Sequence, residues 1–247
     1  KLLWEEYKTN RKAKVITAIG MFYDSLYPNK FIKKVKDYLA EDGLFIAQLM
    51  TLRPMIENND VSNICHEHIE YYSYKSLKVL FERNGLEIFK VEENDINGGS
   101  YRLFARHYRK GSIEHKEPEY TFKDFKDFYK RIQNNRDRIR KIIWELKNFT
   151  SKNRIYGYGA STKGNTILQW YGLTNEDLIA IADKNPEKWG KYTIGTNIPI
   201  ISEEEARKHT DYFFILPWGF TKQFIKRERK HGYKGKFLIS IPSCSIA

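Results

Sequence analysis

Along the first hundred residues the apolar positions switch between a helical period and short continuous or alternating runs, and each switch marks an element. "KVITAIGMF" (Lys14 to Phe22) reads as a first strand. In "NKFIKKVKDYLAEDG", Asn29 to Gly43, Phe31, Ile32, Val35, Tyr38 and Leu39 recur at helical spacing and Asp42-Gly43 supplies a stop. "LFIAQLM", Leu44 to Met50, is a continuous apolar run of the kind that forms a parallel strand buried on both faces. "SYKSLKVLFERNG", Ser73 to Gly85, predicts an amphipathic helix with Ser73 as N-cap and Gly85 at its end. "LEIFKVEEN" and "SYRLFARHY" predict two strands joined across "DINGG", where Asn97-Gly98 is a turn signal.

Between Glu117 and Phe149 the apolar positions Phe122, Phe125, Phe128, Ile132, Ile139, Ile142, Leu146 and Phe149 predict one long helix, or two in line, suited to connecting domains or to a dimer contact. Past a boundary near Ser151 the pattern restarts. "RIYGYGA" is a strand entering a glycine loop, "TKGNTILQWYG" a helix, "LIAIADKNP" a strand ending in an acid, and "DYFFILPWG" another strand. "TKQFIKRERKHG" then reads as a helix and "KFLISIP" as a last strand. Strands alternating with helices imply a second, doubly wound parallel unit, so the fold class expected is α/β.

Composition narrows the function classes. At 247 residues, 41% hydrophobic and 15% aromatic, the chain is too apolar for disorder and long enough for two domains. Its formal charge of +12 favours an anionic partner, but the lysines and arginines interleave with acids over helical segments, as on a solvated basic surface. The charge alone does not choose between a nucleic acid and an anionic small ligand; a solvated basic surface is the favoured reading, and no nucleic-acid partner is expected. Two cysteines, Cys65 and Cys244, make no disulfide framework and no CxxC pair, which fits a reduced cytoplasm. No apolar run approaches the roughly 20 residues that span a bilayer, so no membrane association is expected.

Three stretches carry candidate chemistry. "YGYGASTKGN", Tyr156 to Asn165, sits where a strand turns into a helix. Gly157 and Gly159 match the first two glycines of a dinucleotide fingerprint, but Thr162 holds the third place, and Lys163 precedes Gly164, unlike a Walker A loop. A general anion site with Ser161, Thr162 and Lys163 facing a diphosphate remains, with Asp183 accepting from a ribose or sugar hydroxyl. The alternative is a tight turn with no ligand.

In "NICHEHIEYY", His66 and His68 would face one side of an extended segment, as in some zinc sites, but no third ligand is evident and we expect no metal. A proton-transfer site needs less: a histidine oriented by Glu67 or Glu70, in the loop at a strand's carboxyl end where open sheets bind ligands. Polar surface is the third reading, and the residues alone do not choose between the last two. "NGGS", Asn97 to Ser100, is a hairpin turn whose glycines also permit a ligand to approach the backbone.

Taken together, "ICHEHIEYYS", "NGLEIF", "NGGSYRLFARH", "YGYGASTKGNTIL", "ADKNPEKWGKYTIGTNIPIIS" and "ILPWGF", in this order, resemble the sugar C-methyltransferases of deoxysugar biosynthesis. The resemblance runs from about Lys14 to Pro242. It implies transfer of a methyl group from S-adenosylmethionine to a carbon beside the ketone of a dTDP-linked keto-deoxysugar. It implies His68 as the base, Glu67 as a substrate-positioning group and His66 in support. Gly98, Gly99 and Ser100 would lie close to the reacting centre, and Ser161, Lys163 and Asn165 would face the diphosphate. Cys65 stands where better-known members carry Tyr, and Asp24 where they carry His, so no role carries over to those two positions.

The resemblance also implies a zinc-binding module and a glycine-rich first strand-loop for S-adenosylmethionine, and nothing upstream of Lys14 matches either. The expected organisation is therefore the later part of a class I methyltransferase Rossmann-like sheet over 1–116, a connecting helix over 117–150, and a Rossmann-like nucleotide-sugar-binding domain over 151–247. A chain so composed is expected not to methylate alone. The competing readings are a non-catalytic sugar-nucleotide-binding module or partner subunit, and an NAD-linked oxidoreductase on Gly157, Gly159 and Asp183, which Thr162 disfavours.

Overall fold

The computed structural model describes residues 4, 6–149 and 153–247, so Ser151, the expected boundary, lies outside the described residues. The chain forms two compact units. The first runs to Pro54 and resumes over His66–Glu119; the second comprises Met55–Cys65 and Tyr120–Ala247. Relative to the contiguous division at 116 and 150, the segment 55–65 and the long helix both lie in the second unit. No periodicity marks that segment, because its assignment rests on hydrogen bonds made far along the chain: Arg131 Nε donates to Asn59 Oδ1 at 2.7 Å and Arg131 Nη2 to Ile56 O at 3.0 Å.

In the first unit, β1 (Ala13–Ile19), α1 (Pro28–Tyr38) and β2 (Leu39–Met50) form a parallel strand–helix–strand pair. A short helix, α2 (Leu52–Glu57), follows, then α3 (Tyr74–Arg83) and the hairpin β3 (Leu86–Asn94) and β4 (Ser100–His107). The sheet order is β1-β2-β4-β3, with β4 antiparallel to both neighbours. Phe31, Ile32 and Val35 of α1 and Leu77, Leu80 and Phe81 of α3 bury against Phe45, Ala47, Leu49, Ile88 and Leu103 of the sheet. Each such side chain contributes about 1.5–3 kcal/mol.

The helix expected over 29–43 ends at Tyr38. Leu39, 2% exposed, fits the helical stripe and the strand's inner face equally well, so spacing does not separate the two. The register of β1 on β2 slips from Ala13↔Leu39 to Val15↔Leu44, and the irregularity takes up residues 40–43. Gly43 is needed there, since a Cβ on it would lie 2.8 Å from Leu39 Cδ1. Asp42 pairs with Lys14 rather than capping a helix.

The helix expected from 117 starts at Phe122, where Thr121 and Asp124 form a capping box. Residues 113–119 instead lie back on the first unit. Ile113 N donates to Ile88 O, Glu117 accepts from Tyr101 OH at 3.0 Å, and the other Glu117 oxygen accepts from Tyr74 N, the first amide of α3.

In the second unit, α4 (Phe122–Asn148) buries Phe128, Ile132, Ile139 and Ile143, so Ile143 rather than Ile142 continues the buried stripe. Then follow β5 (Ile155–Tyr158), α5 (Thr162–Tyr171), β6 (Ile181–Asp183), β7 (Ile200–Ser202), α6 (Glu203–His209), β8 (Tyr212–Ile215), α7 (Thr221–Lys230), β9 (Lys236–Ile239) and β10 (Ser245–Ile246). The order β10-β9-β8-β5-β6-β7, parallel except for β10, is doubly wound with its switch point between β5 and β8. The strand β7 and helix α6 escape a periodicity search because they are three and seven residues long and α6 buries only Ala206. Their signal was electrostatic: three glutamates in the first turn of α6 and Arg207, Lys208 and His209 in the last.

Candidate active site

In the first unit the loops after β1 and β2 leave the same carboxyl edge of the parallel pair, where open sheets hold their ligands. The first loop turns at Gly20, with φ +64°, whose N donates to Gln48 O at 2.8 Å and whose carbonyl accepts from Tyr23 OH at 3.0 Å. The second loop carries the His-Glu-His motif. The two are tied together, since Ile69 N and Glu70 N both donate to Tyr23 O at 3.1 Å.

That tie sets His68. Its ring lies 4.4 Å from that of Tyr23, centroid to centroid, and it is half-buried, while Tyr23 is 7% exposed. His66 and Glu67 form an exposed turn, so the extended geometry that would align His66 with His68 is not adopted. Among the described residues no group of three or more His, Cys, Asp or Glu is placed to hold a metal ion.

Beside Tyr23, Asp24 faces Glu67. Burial first, and then the Glu67 charge, push the Asp24 carboxyl above the ordinary aspartate range. Asp24 Oδ1 is buried with no hydrogen-bond partner among the described residues, and so is the hydroxyl of Thr51, immediately after β2. The unit thus sets His68 against Tyr23, and Asp24, the next residue, within the electrostatic reach of Glu67. Motif reading did not single out Tyr23; the signal available was its place just after a parallel strand.

Gly98, Gly99 and Ser100 close the β3–β4 hairpin. Asn97, Gly98 and Gly99 have φ of +57°, +90° and +127°. A Cβ on Gly99 would lie 2.4 Å from Pro54 Cβ, so glycine is required there for packing. Ser100, 3% exposed, donates its hydroxyl to Ile96 O at 2.8 Å and pairs with Met50, at the end of β2.

In the second unit the glycine loop is packed from within. A Cβ on Gly157 would meet Ile181 Cδ1 at 2.3 Å, and one on Gly159, with φ +91°, would meet Pro217 Cγ at 2.5 Å. Ser161 caps α5 by accepting from Gly164 N at 3.0 Å. Asn165 donates to Ser161 O and accepts from Ile194 N, both at 3.2 Å. Asp183 Oδ2 accepts from Ala160 N at 2.8 Å and from Lys188 Nζ at 3.2 Å, while Oδ1 accepts from Asn185 N at 2.8 Å. Asp183, expected to meet a ribose or sugar hydroxyl, here fixes the β5–α5 loop. Lys163 feels Asp60 and Cys65, which favour its charged form, but burial outweighs them and lowers its pKa.

A family model described as "C-methyltransferase C-terminal domain" matches residues 95–242, more than half of the chain. The chain belongs to that C-methyltransferase family. A second model, "Methyltransferase domain", matches residues 4–91 of this C-methyltransferase chain, in keeping with a Rossmann-like class I fold. C-methyltransferase NovU of Streptomyces niveus is 31% identical over 227 residues, covering 87% of this chain and 54% of its own. The chain therefore spans about half the length of that curated relative. Among solved structures, "A Pericyclic Reaction enzyme" aligns with 40% of this chain and 27% of its own at 6% identity and TM-score 0.33. Haemonchus contortus Phospholethanolamine N-methyltransferase 2, in complex with phosphomonomethylethanolamine and S-adenosylhomocysteine, aligns with 93% of this chain and 60% of its own at 15% identity and TM-score 0.24. Scores that low carry no argument about fold or function. No helix among the described residues is long and apolar enough to cross a membrane.

A methyltransferase of this class implies S-adenosylmethionine, and the described residues do not complete its cradle. Holding an adenosyl group takes backbone exposed along a glycine-rich strand-to-helix loop. After β1 the one nearby glycine, Gly20, is taken up by the turn that Tyr23 closes.

Proposed function

We propose that this chain supplies the proton-abstracting part of a C-methyltransferase acting on a nucleotide-linked keto-deoxysugar. The observation that carries the reading is His68, half-buried against Tyr23 at a strand's carboxyl edge and next to Glu67 in the chain. A ketone acidifies the neighbouring C–H. His68 takes that proton, and the electron pair is left as an enolate whose carbon is nucleophilic. S-adenosylmethionine, the cofactor that the family implies, would supply the electrophilic methyl group. Glu67, exposed beside the base, positions a substrate hydroxyl or amine, and Gly98 and Gly99 border the sugar. The second unit holds the nucleotide, with Lys163 as the one cation among Ser161, Lys163 and Asn165.

Replacing His68 with Ala in the full-length protein is expected to slow methyl transfer by about 100- to 10,000-fold, the usual worth of a positioned base. Unchanged turnover would sink the assignment.

A further inference from the structure

The loop that carries His68 has no regular structure of its own: after the turn at His66 and Glu67, residues 68–73 form neither helix nor strand until α3 begins at Tyr74. Its position is set from outside, and the turn of helix over Phe22–Asp24 grips it at two points. Phe22, fully buried, stacks its ring on Tyr72 at 5.4 Å between centroids with the planes 10° apart. Tyr23 holds the other end with three different groups. Its carbonyl accepts from Ile69 N and Glu70 N, its ring meets that of His68 at 4.4 Å with the planes 57° apart, and its hydroxyl donates to Gly20 O. Gly20 N in turn donates to Gln48 O of β2, so the contact on the imidazole leads back, residue by residue, to the sheet. Tyr23 belongs to the core of the unit, whereas His68 is half-buried, so a fixed ring bears on a side chain that solvent still reaches. An aliphatic residue at position 23 would fill the core but would not span from the Gly20 carbonyl to the imidazole.

Resting on the reading of His68 as base, we infer that Tyr23 is a positioning residue: its ring, anchored through its hydroxyl to Gly20, holds the His68 imidazole at the angle from which it meets the C–H bond beside the ketone. Tyr23 neither gives nor takes the proton. A base held in its working orientation before the substrate arrives loses no rotamer freedom at the moment of reaction, and a small misplacement of such a group is felt in the chemical step. Loss of the Tyr23 ring therefore lowers kcat and leaves KM for the nucleotide sugar nearly unchanged.

The test is hydrogen exchange at the carbon beside the ketone, followed by NMR in D2O with a dTDP-linked 4-keto-6-deoxyhexose and the full-length protein, with no methyl donor added. Tyr23→Leu, which keeps apolar bulk without ring or hydroxyl, is expected to lower kcat for exchange by about 10- to 100-fold with KM within about threefold of the parent. Tyr23→Phe, which restores the ring, is expected to recover the rate to within about fivefold of the parent. Labelled histidine gives a second readout. The His68 ring signal, assigned by its loss in His68→Ala, is displaced by the Tyr23 ring current in the parent and by the Phe ring in Tyr23→Phe, and returns to the free-histidine position in Tyr23→Leu. Thermal melts show whether both variants fold. Exchange in Tyr23→Leu equal to the parent, a loss confined to KM, or Tyr23→Phe as slow as Tyr23→Leu, with His68→Ala slow, overturns the role of Tyr23 alone. A His68 signal at the free-histidine position in the parent overturns the contact even where Tyr23→Leu does not fold. Exchange in His68→Ala equal to the parent, or none in the parent, overturns the proposed base instead.

Discussion

Glu87 is fully buried, yet its carboxylate accepts four hydrogen bonds. One oxygen accepts from the backbone N–H groups of Arg109, Lys110 and Gly111 at 2.7–2.8 Å, and the other from Arg106 Nε at 2.8 Å. Burial works to raise its pKa, but these bonds together win and hold it at about 2, from 4.5. A depressed folded-state pKa means stability that is present above about 4.5 and lost as pH falls toward about 2. Glu87→Gln is expected to cost about 3 kcal/mol at neutral pH and to flatten the acid loss across that window, read by urea titration at several pH values. Glu228, also fully buried, binds Arg207 through both oxygens and accepts from Tyr158 OH at 2.7 Å. Glu228→Ala leaves a cation and a buried hydroxyl unanswered, and about 3 kcal/mol of stability should be lost by the same measurement. Neither acid was legible in the sequence, because each is explained by partners about twenty or more residues away. His68 stood out as a candidate, since a histidine among acids and aromatics after an apolar strand is itself a signal; its ring contact with Tyr23 did not, because the two lie in separate loops.

At the scale of elements, hydrophobic spacing located strands and helices wherever each buries its own face. The hairpin of β3 and β4 and the capped helix α3 are such cases. Spacing failed where tertiary contact decides: Leu39 serves helix and strand alike, and residues 113–119 leave the helical pattern because Glu117 satisfies Tyr74 N and Tyr101 OH. The same holds for the glycine loop. "YGYGASTKGN" reads as a phosphate cradle, while in the fold Gly159 makes room for Pro217. Gly159→Ala is therefore expected to destabilise the second unit by about 2 kcal/mol or more, from the φ of +91° and the 2.5 Å approach, whether or not a nucleotide binds. A melting temperature within about a degree of the parent would contradict this reading of the loop.

At the scale of the molecule, two α/β units are joined by a chain that passes from the first to the second and back before crossing finally near Tyr120. The order of motifs carried the family, which the match over residues 95–242 establishes. What spacing did not carry is that the His-Glu-His motif directly follows the 55–65 segment of the second unit, so the motif begins where the chain re-enters the first. The chemistry proposed for the whole protein rests on one residue in that re-entry. The most direct measurement is deuterium incorporation at the carbon beside the ketone of a dTDP-linked 4-keto-6-deoxyhexose, catalysed by full-length protein with His68 intact and with His68→Ala. The account predicts exchange in the first and a loss of about 100-fold or more in the second. Equal exchange in both would contradict it.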